Sequence, residues 1–178
     1  MLEVRGKKIN VLFSREEIAR RNMEIAERIS LSAFENPLVV SVLKGSFVFA
    51  ADLIRALHSV GMSPEVDFIS ISSYGTGTEA RKPKILRDVE SDVAGRDLLL
   101  IDDILESGGT LSFTKKLMFE RGANRVELAV LLDKSARRKS EITAEYVGFE
   151  CPDKFVVGYG MDVGNAFREL PFVGEVVE

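Results

Sequence analysis

The stretch Leu98-Leu99-Leu100-Ile101-Asp102-Asp103-Ile104-Leu105-Glu106-Ser107-Gly108-Gly109-Thr110-Leu111 runs from four consecutive branched aliphatics straight into two carboxylates. Such a run suits a strand buried on both faces, which ends by releasing its polar residues into a crevice. A small, hydroxyl-bearing turn follows at Ser107–Thr110, and Leu111, Phe113, Leu117 and Met118 then recur at helical spacing. A helix opening there directs free backbone N–H groups at the turn, and glycines let an anion approach closely.

A ligand matched to this combination carries adjacent hydroxyls and a phosphate. Two neighbouring carboxylates accept hydrogen bonds from a vicinal diol, and the turn beyond them neutralises a phosphate through N–H groups, hydroxyls and the helix dipole. Ribose 5-phosphate has both features. An isolated Asp-Asp would more often do no more than end a strand and favour a helix start; the whole stretch is what carries the reading.

The composition leaves room for it. A chain of 178 residues, 46% hydrophobic and 29% charged, is of single-domain size and can bury a sizeable core. The formal net charge of -4 provides no global basic field for nucleic acid or a membrane surface. One Cys (Cys151) and one His (His58) exclude an internal disulfide and leave no tetrahedral zinc set, so any metal should be a hard ion held by oxygen. Neither a signal peptide nor a membrane-spanning apolar run is apparent, which points to a cytoplasmic protein.

Working outward, Ser14 and Glu17 form a capping box ahead of Ile18, Ile25, Ala26 and Ile29, predicting a helix over 15–32. Leu38–Leu43 reads as a buried strand emptying into Lys44-Gly45-Ser46, with Phe47, Ala50, Ala51, Ile54 and Leu57 at helical spacing behind it. Val66–Ile71 is the next strand. The segment 72–87 is polar and glycine-bearing, and its place between core strands favours a mobile active-site cover. Within it, Gly75-Thr76-Gly77-Thr78-Glu79-Ala80 matches a dinucleotide fingerprint formally, but Arg81-Lys82-Pro83-Lys84 opens no helix, which argues against a nicotinamide site. Val126–Leu132 makes another buried strand delivering Asp133 and Lys134, and Arg137-Arg138-Lys139 is the main basic run. Ala144–Val147 and Phe155–Tyr159 read as short strands. Strands alternating with helices predict an α/β protein with a parallel sheet and ligands at the carboxyl ends of its strands.

The central stretch resembles the phosphoribosyl pyrophosphate signature of the purine phosphoribosyltransferases: an apolar strand, two acids, two apolar residues, an acid, Ser or Thr, Gly, any residue, Thr. Leu43-Lys44-Gly45-Ser46, Leu131-Leu132-Asp133-Lys134 and Tyr146–Leu170 are similar to the corresponding parts of hypoxanthine-guanine phosphoribosyltransferases. The likeness covers roughly residues 39–170, in the family order. It implies a type I phosphoribosyltransferase fold over 1–178: a mostly parallel central sheet flanked by helices, with a small hood formed by the chain ends. It also implies Mg2+ as cofactor, phosphoribosyl pyrophosphate and a 6-oxopurine as substrates, and a homodimer or homotetramer.

Carried over residue by residue, the resemblance implies that Asp102 and Asp103 hold the ribose hydroxyls directly or through magnesium. Ser107, Gly108, Gly109 and Thr110 would bind the 5-phosphate, and Lys44, Gly45 and Arg168 the pyrophosphate. The family often has a cis peptide at the position of Leu43-Lys44. Ser73 and Tyr74 would begin the mobile loop, Lys134 would donate to the six-oxo group, Phe155 would stack on the purine, and Val156 would recognise it through its backbone. Asp162 would help hold a second magnesium. Glu106 departs from the pattern, because most relatives have Asp where this chain has the presumed acid/base for the proton on the purine's seven-position nitrogen. Two alternatives stay open: a transferase preferring xanthine or a pyrimidine, and a non-catalytic regulator that senses phosphoribosyl pyrophosphate and binds nucleic acid.

Overall fold

The chain opens with a hairpin, β1 (Leu2–Val4) and β2 (Lys7–Phe13), turned at Arg5 and Gly6, both at positive φ. Helix α1 (Arg15–Ser30) starts at the expected capping box: Glu17 N–H donates to Ser14 Oγ at 3.3 Å and Ser14 N–H to the Glu17 carboxylate at 2.8 Å. The order continues β3 (Leu38–Leu43), α2 (Phe47–Ser59), β4 (Glu65–Ser72), β5 (Lys84–Arg87), β6 (Asp97–Leu105), α3 (Gly109–Glu120) and β7 (Arg125–Asp133). A 3-10 turn at Ser135–Arg137 leads to β8 (Tyr146–Glu150), β9 (Val156–Val157) and β10 (Val173–Val177). The structure, a computed structural model, describes residues 2–72 and 83–177. Ser73, Tyr74 and the Gly75–Ala80 stretch lie outside the described residues. Among the described residues no helix is long and apolar enough to cross a membrane.

A six-stranded sheet has the order β5-β4-β3-β6-β7-β8, and a four-stranded one the order β1-β2-β10-β9. In the larger sheet β4, β3, β6, β7 and β8 run parallel, with β5 added antiparallel at the edge. The aliphatic run sits at the middle of it, as anticipated. Leu99 and Ile101 pack into the core cluster of α1 and α2, whereas Leu98 and Leu100 pack into that of α3, so period-two alternation fills both faces. The smaller, antiparallel sheet joins the chain's beginning to its end, as the expected hood does.

Four expectations need correction. Strand β6 does not stop at the carboxylates: its pairing with β7 continues to Leu105. Its other neighbour, β3, pairs with it only through Ile101 and then turns away at Lys44, so the crevice opens beside β6 rather than beyond its tip. Lys84–Arg87, assigned to the cover, forms edge strand β5, because backbone hydrogen bonds to β4 hold it with little apolar burial. The strand read at Ala144–Val147 runs instead over Tyr146–Glu150, where alternate residues point into the core. That read at Phe155–Tyr159 shrinks to Val156–Val157, since Gly158, Tyr159 and Gly160 take positive φ.

Candidate active site

Two hollows meet at the carboxyl end of the parallel sheet. The larger, about 660 Å³, is lined by the Leu43–Gly45 turn, Asp103, Glu106, Lys134, Phe155, Val156, Asp162 and Arg168, among others. The smaller, about 180 Å³, is lined by Asp102, Ser107, Gly108, Thr110 and Leu111. Ile104 and Glu106 line both, so one elongated ligand can span them.

Alternation along β6 divides the acids. Asp102 shares the α3 face with Leu98 and Leu100 and opens into the small hollow; Asp103 shares the opposite face and opens into the large one. The two carboxyl groups nevertheless lie close enough to interact with each other while each lines its own hollow. Loss of water contact, and after it the neighbouring Asp103 charge, push Asp102 well above the usual carboxylate range. Burial raises Asp103 too, against hydrogen bonds that favour its charge. Crowded carboxylates to which, among the described residues, no cationic side chain hydrogen-bonds are what a hard divalent ion relieves. Magnesium is commonly held by one or two carboxylates, with substrate oxygens completing the shell. The donor set fits that ion. Among the described residues no three carboxylate, His or Cys groups converge on one point, so Asp162 makes a separate place on the far wall. There its carboxylate pairs with Arg168 at 2.9 Å.

The small hollow lies against the uncapped start of α3. Gly108 takes φ +86 ahead of α3, which begins without any side-chain cap, so the first N–H groups of the helix are free to meet a ligand. A Cβ at Gly108 would lie 2.1 Å from Ser140 Oγ and 2.6 Å from Ile142, so the turn admits no side chain there.

In the large hollow the backbone turns sharply at a cis peptide between Leu43 and Lys44. A Cβ on Gly45 would come within 1.9 Å of Asp103 Oδ2, and one on Gly160 within 2.2 Å of the Gly45 carbonyl. Glycine at both positions lets the Lys44 turn, β6 and the 158–170 segment touch. Arg168 anchors that segment by donating to the Gly160 carbonyl at 2.6 Å.

Lys134 is almost wholly buried, and its Nζ donates to Glu106 Oε1 at 3.0 Å. Asp153 stands 4.0 Å from the same Nζ, and Arg137 lies 2.8 Å from Asp153 and 3.9 Å from Glu106. Cation and anion thus alternate around the mouth. Phe155 is 61% exposed, an unusual state for a large aromatic ring, and its surface faces the hollow. Val176 N–H donates to the Phe155 carbonyl, which makes the next pair, Glu175 with Val156, a non-hydrogen-bonded one. The N–H and C=O of Val156 therefore point off the free edge of β9. A planar ligand on Phe155 would meet them there.

Each expected site residue within the described range lies around one or other hollow, although Gly109 is a neighbour of the small hollow rather than a lining residue. Arg137, Asp153 and Ile104 were not foreseen. The signal for the first was the basic run, which sequence showed but could not orient.

The phosphoribosyl transferase domain family matches residues 10–163. The hypoxanthine-guanine phosphoribosyltransferase of Aquifex aeolicus is 43% identical over 176 residues, 97% of each chain. The chain belongs to the hypoxanthine-guanine phosphoribosyltransferase family. The family enzyme of Bacillus subtilis is 42% identical, over 92% of this chain and 91% of its own. A solved hypoxanthine-guanine phosphoribosyltransferase from Bacillus anthracis superposes with a TM-score of 0.87 at 42% identity, covering 96% of this chain and 99% of that one. The fold is accordingly that of the type I phosphoribosyltransferases, and the chain is a transferase.

Proposed function

We propose that this phosphoribosyltransferase, acting as one catalytic unit, moves the 5-phosphoribosyl group from phosphoribosyl pyrophosphate to hypoxanthine, and to guanine, in purine salvage. The observation that carries this is the Lys134–Glu106 pair. It stands between the exposed Phe155 ring with the free Val156 edge on one side and the anion cradle on the other.

In this reading the cradle Ser107–Thr110 takes the 5-phosphate, and the ribose lies over the end of β6 with its hydroxyls toward Asp102 and Asp103. The pyrophosphate meets Lys44, the Gly45 backbone and Arg168. One magnesium ion would be held by Asp102 and Asp103 and a second by Asp162, and together they would neutralise the pyrophosphate. The base stacks on Phe155, hydrogen-bonds along Val156, and accepts from Lys134 at its six-oxo group. The nine-position nitrogen forms a bond to the anomeric carbon as the bond to pyrophosphate breaks, with inversion. Glu106 takes the proton released from the seven-position nitrogen. Lys134 touches both the acceptor oxygen and this carboxylate, so one ammonium links polarisation of the base to removal of its proton. Ser73 and Tyr74 are assigned to the covering loop, which keeps water from the cationic transition state.

The deciding measurement is nucleotide formation by the purified protein with magnesium and phosphoribosyl pyrophosphate, with hypoxanthine, guanine, xanthine and uracil offered in parallel. Turnover of hypoxanthine is expected. Turnover of xanthine or uracil alone would reassign the base. Binding of phosphoribosyl pyrophosphate without any turnover would replace the enzyme by the sensor.

A further inference from the structure

We infer that Arg138, which lines neither hollow, is the positioning residue that shapes the phosphate turn from behind. The inference rests on the reading of Ser107–Thr110 as the 5-phosphate cradle. The guanidinium donates from Nε to the Glu106 carbonyl at 2.9 Å, from Nη2 to the Leu105 carbonyl at 3.1 Å, and from Nη1 to the Ile142 carbonyl at 2.7 Å. Nη2 also pairs with the Asp133 carboxylate, so this 15% exposed cation is not left without a counter-charge.

The next two residues extend the grip. Lys139 N–H and Ser140 Oγ both donate to the Ser107 carbonyl, at 3.0 and 3.3 Å. The Glu106 and Ser107 carbonyls are thereby drawn toward the 138–140 strap, and the Leu105 carbonyl, which also accepts the Lys134 N–H at 3.0 Å, is turned to the same side. In a trans peptide the N–H points opposite to the carbonyl of the same plane. The N–H groups of Glu106, Ser107 and Gly108 therefore face away from the strap. A run of N–H groups turned one way in such a turn is an anion nest.

Packing makes the strap the back wall of that nest. A Cβ at Gly108 would lie 3.3 Å from Arg138 Cδ, in addition to its clashes with Ser140 and Ile142. The same Nε hydrogen bond holds the backbone of Glu106, so phosphate cradle and proton acceptor share one brace. Five donors in a rigid fork are what reaching three carbonyls and a carboxylate requires, and Lys cannot reproduce that geometry.

The test is calorimetric titration of ribose 5-phosphate and, separately, magnesium pyrophosphate into the full-length protein and its Arg138→Met and Arg138→Lys variants. Wild type must bind ribose 5-phosphate; if it does not, the reading of the cradle fails, independently of Arg138. With wild type binding, Arg138→Met should weaken ribose 5-phosphate by about tenfold or more, the scale of one or two lost charge-assisted hydrogen bonds, with magnesium pyrophosphate changed by less than about twofold. Arg138→Lys should recover part of the loss. Unchanged ribose 5-phosphate affinity in a folded Arg138→Met protein would overturn the inference. So would equal weakening of both ligands, the mark of a merely structural residue. If Arg138→Met does not fold, Arg138→Lys alone decides: about threefold weaker ribose 5-phosphate supports the brace, and wild-type affinity overturns it.

Discussion

Glu106 is where chemistry depends most on a single side chain. It lengthens by one methylene the carboxylate that most relatives carry as Asp, and its Oε1 reaches Lys134 at 3.0 Å. Glu106→Gln keeps the shape and a hydrogen-bonding oxygen but cannot accept the proton. Turnover should fall roughly 10²-fold or more with phosphoribosyl pyrophosphate binding nearly intact, as single-turnover and binding measurements would show. Unchanged turnover would remove Glu106 from the mechanism. Gly45 is the second sensitive residue, because any Cβ there overlaps Asp103 Oδ2. Gly45→Ala must displace either the pyrophosphate turn or that carboxylate. The expected outcome is a KM for phosphoribosyl pyrophosphate raised about tenfold, with a much smaller change in KM for hypoxanthine, read from initial rates. These two residues were given their roles from sequence; Arg138 stood there only as part of the basic run, and Asp153 had no role. The difference is that a role visible in a motif survives in one dimension, whereas a brace is defined by the carbonyls it reaches from a distant strand end.

Among the elements, helix α1 and strands β3 and β6 lay open in the sequence because each carries its own signal. For α1 the signal was the Ser14–Glu17 box, and Ser14→Ala should lower stability by about 1 kcal/mol without affecting kinetics, measured by chemical denaturation. Strands β1, β2, β9 and β10 carry much weaker signals. Lys7–Phe13 is mostly solvent-facing, and its partner β10 is at the far end of the chain, so no local pattern announces the pairing. Contact between elements also sets Gly160. It holds φ +99 against the Gly45 carbonyl, and Gly160→Ala adds both backbone strain and a clash with rigid main chain. A loss of about 1–3 kcal/mol in stability is expected together with weaker pyrophosphate binding, checked by melting and titration of the same protein.

At the scale of the molecule, Asp67 ties the parallel sheet to the approach of β6. Its carboxylate accepts from the N–H groups of Phe68, Glu90 and Ser91 at 2.7, 2.8 and 2.8 Å. Burial alone would raise its pKa, but these hydrogen bonds outweigh burial and hold it below the ordinary value. A depressed carboxylate adds stability that is complete above its unfolded pKa and is lost as pH falls through the lower folded value. Asp67→Ala should therefore cost about 1–3 kcal/mol near neutrality, and its gap from wild type should narrow below about pH 4, as melting curves across pH would reveal. A gap that widened in acid would contradict the assignment.

The sequence by itself determined the parallel sheet, the place of its central strand, the glycine-bearing turn beyond it, about half of the residues that line the larger hollow and most of those that line the smaller. The sheet, its central strand and the turn follow from spacing along a few consecutive residues, where burial, helix-terminal N–H groups and turn chemistry act locally; the residues around the hollows outside that stretch followed from the family resemblance. Only the tertiary structure decided that β6 keeps its pairing past the carboxylates to Leu105, so that Asp102 and Asp103 line different hollows. It also decided that β3 ends early enough to open the crevice, that Val156 offers a free edge, and that the 138–140 strap takes up the carbonyls of Leu105, Glu106 and Ser107. Each of these depends on which strand lies alongside which and where their pairing stops, a relation among distant segments that periodicity does not encode.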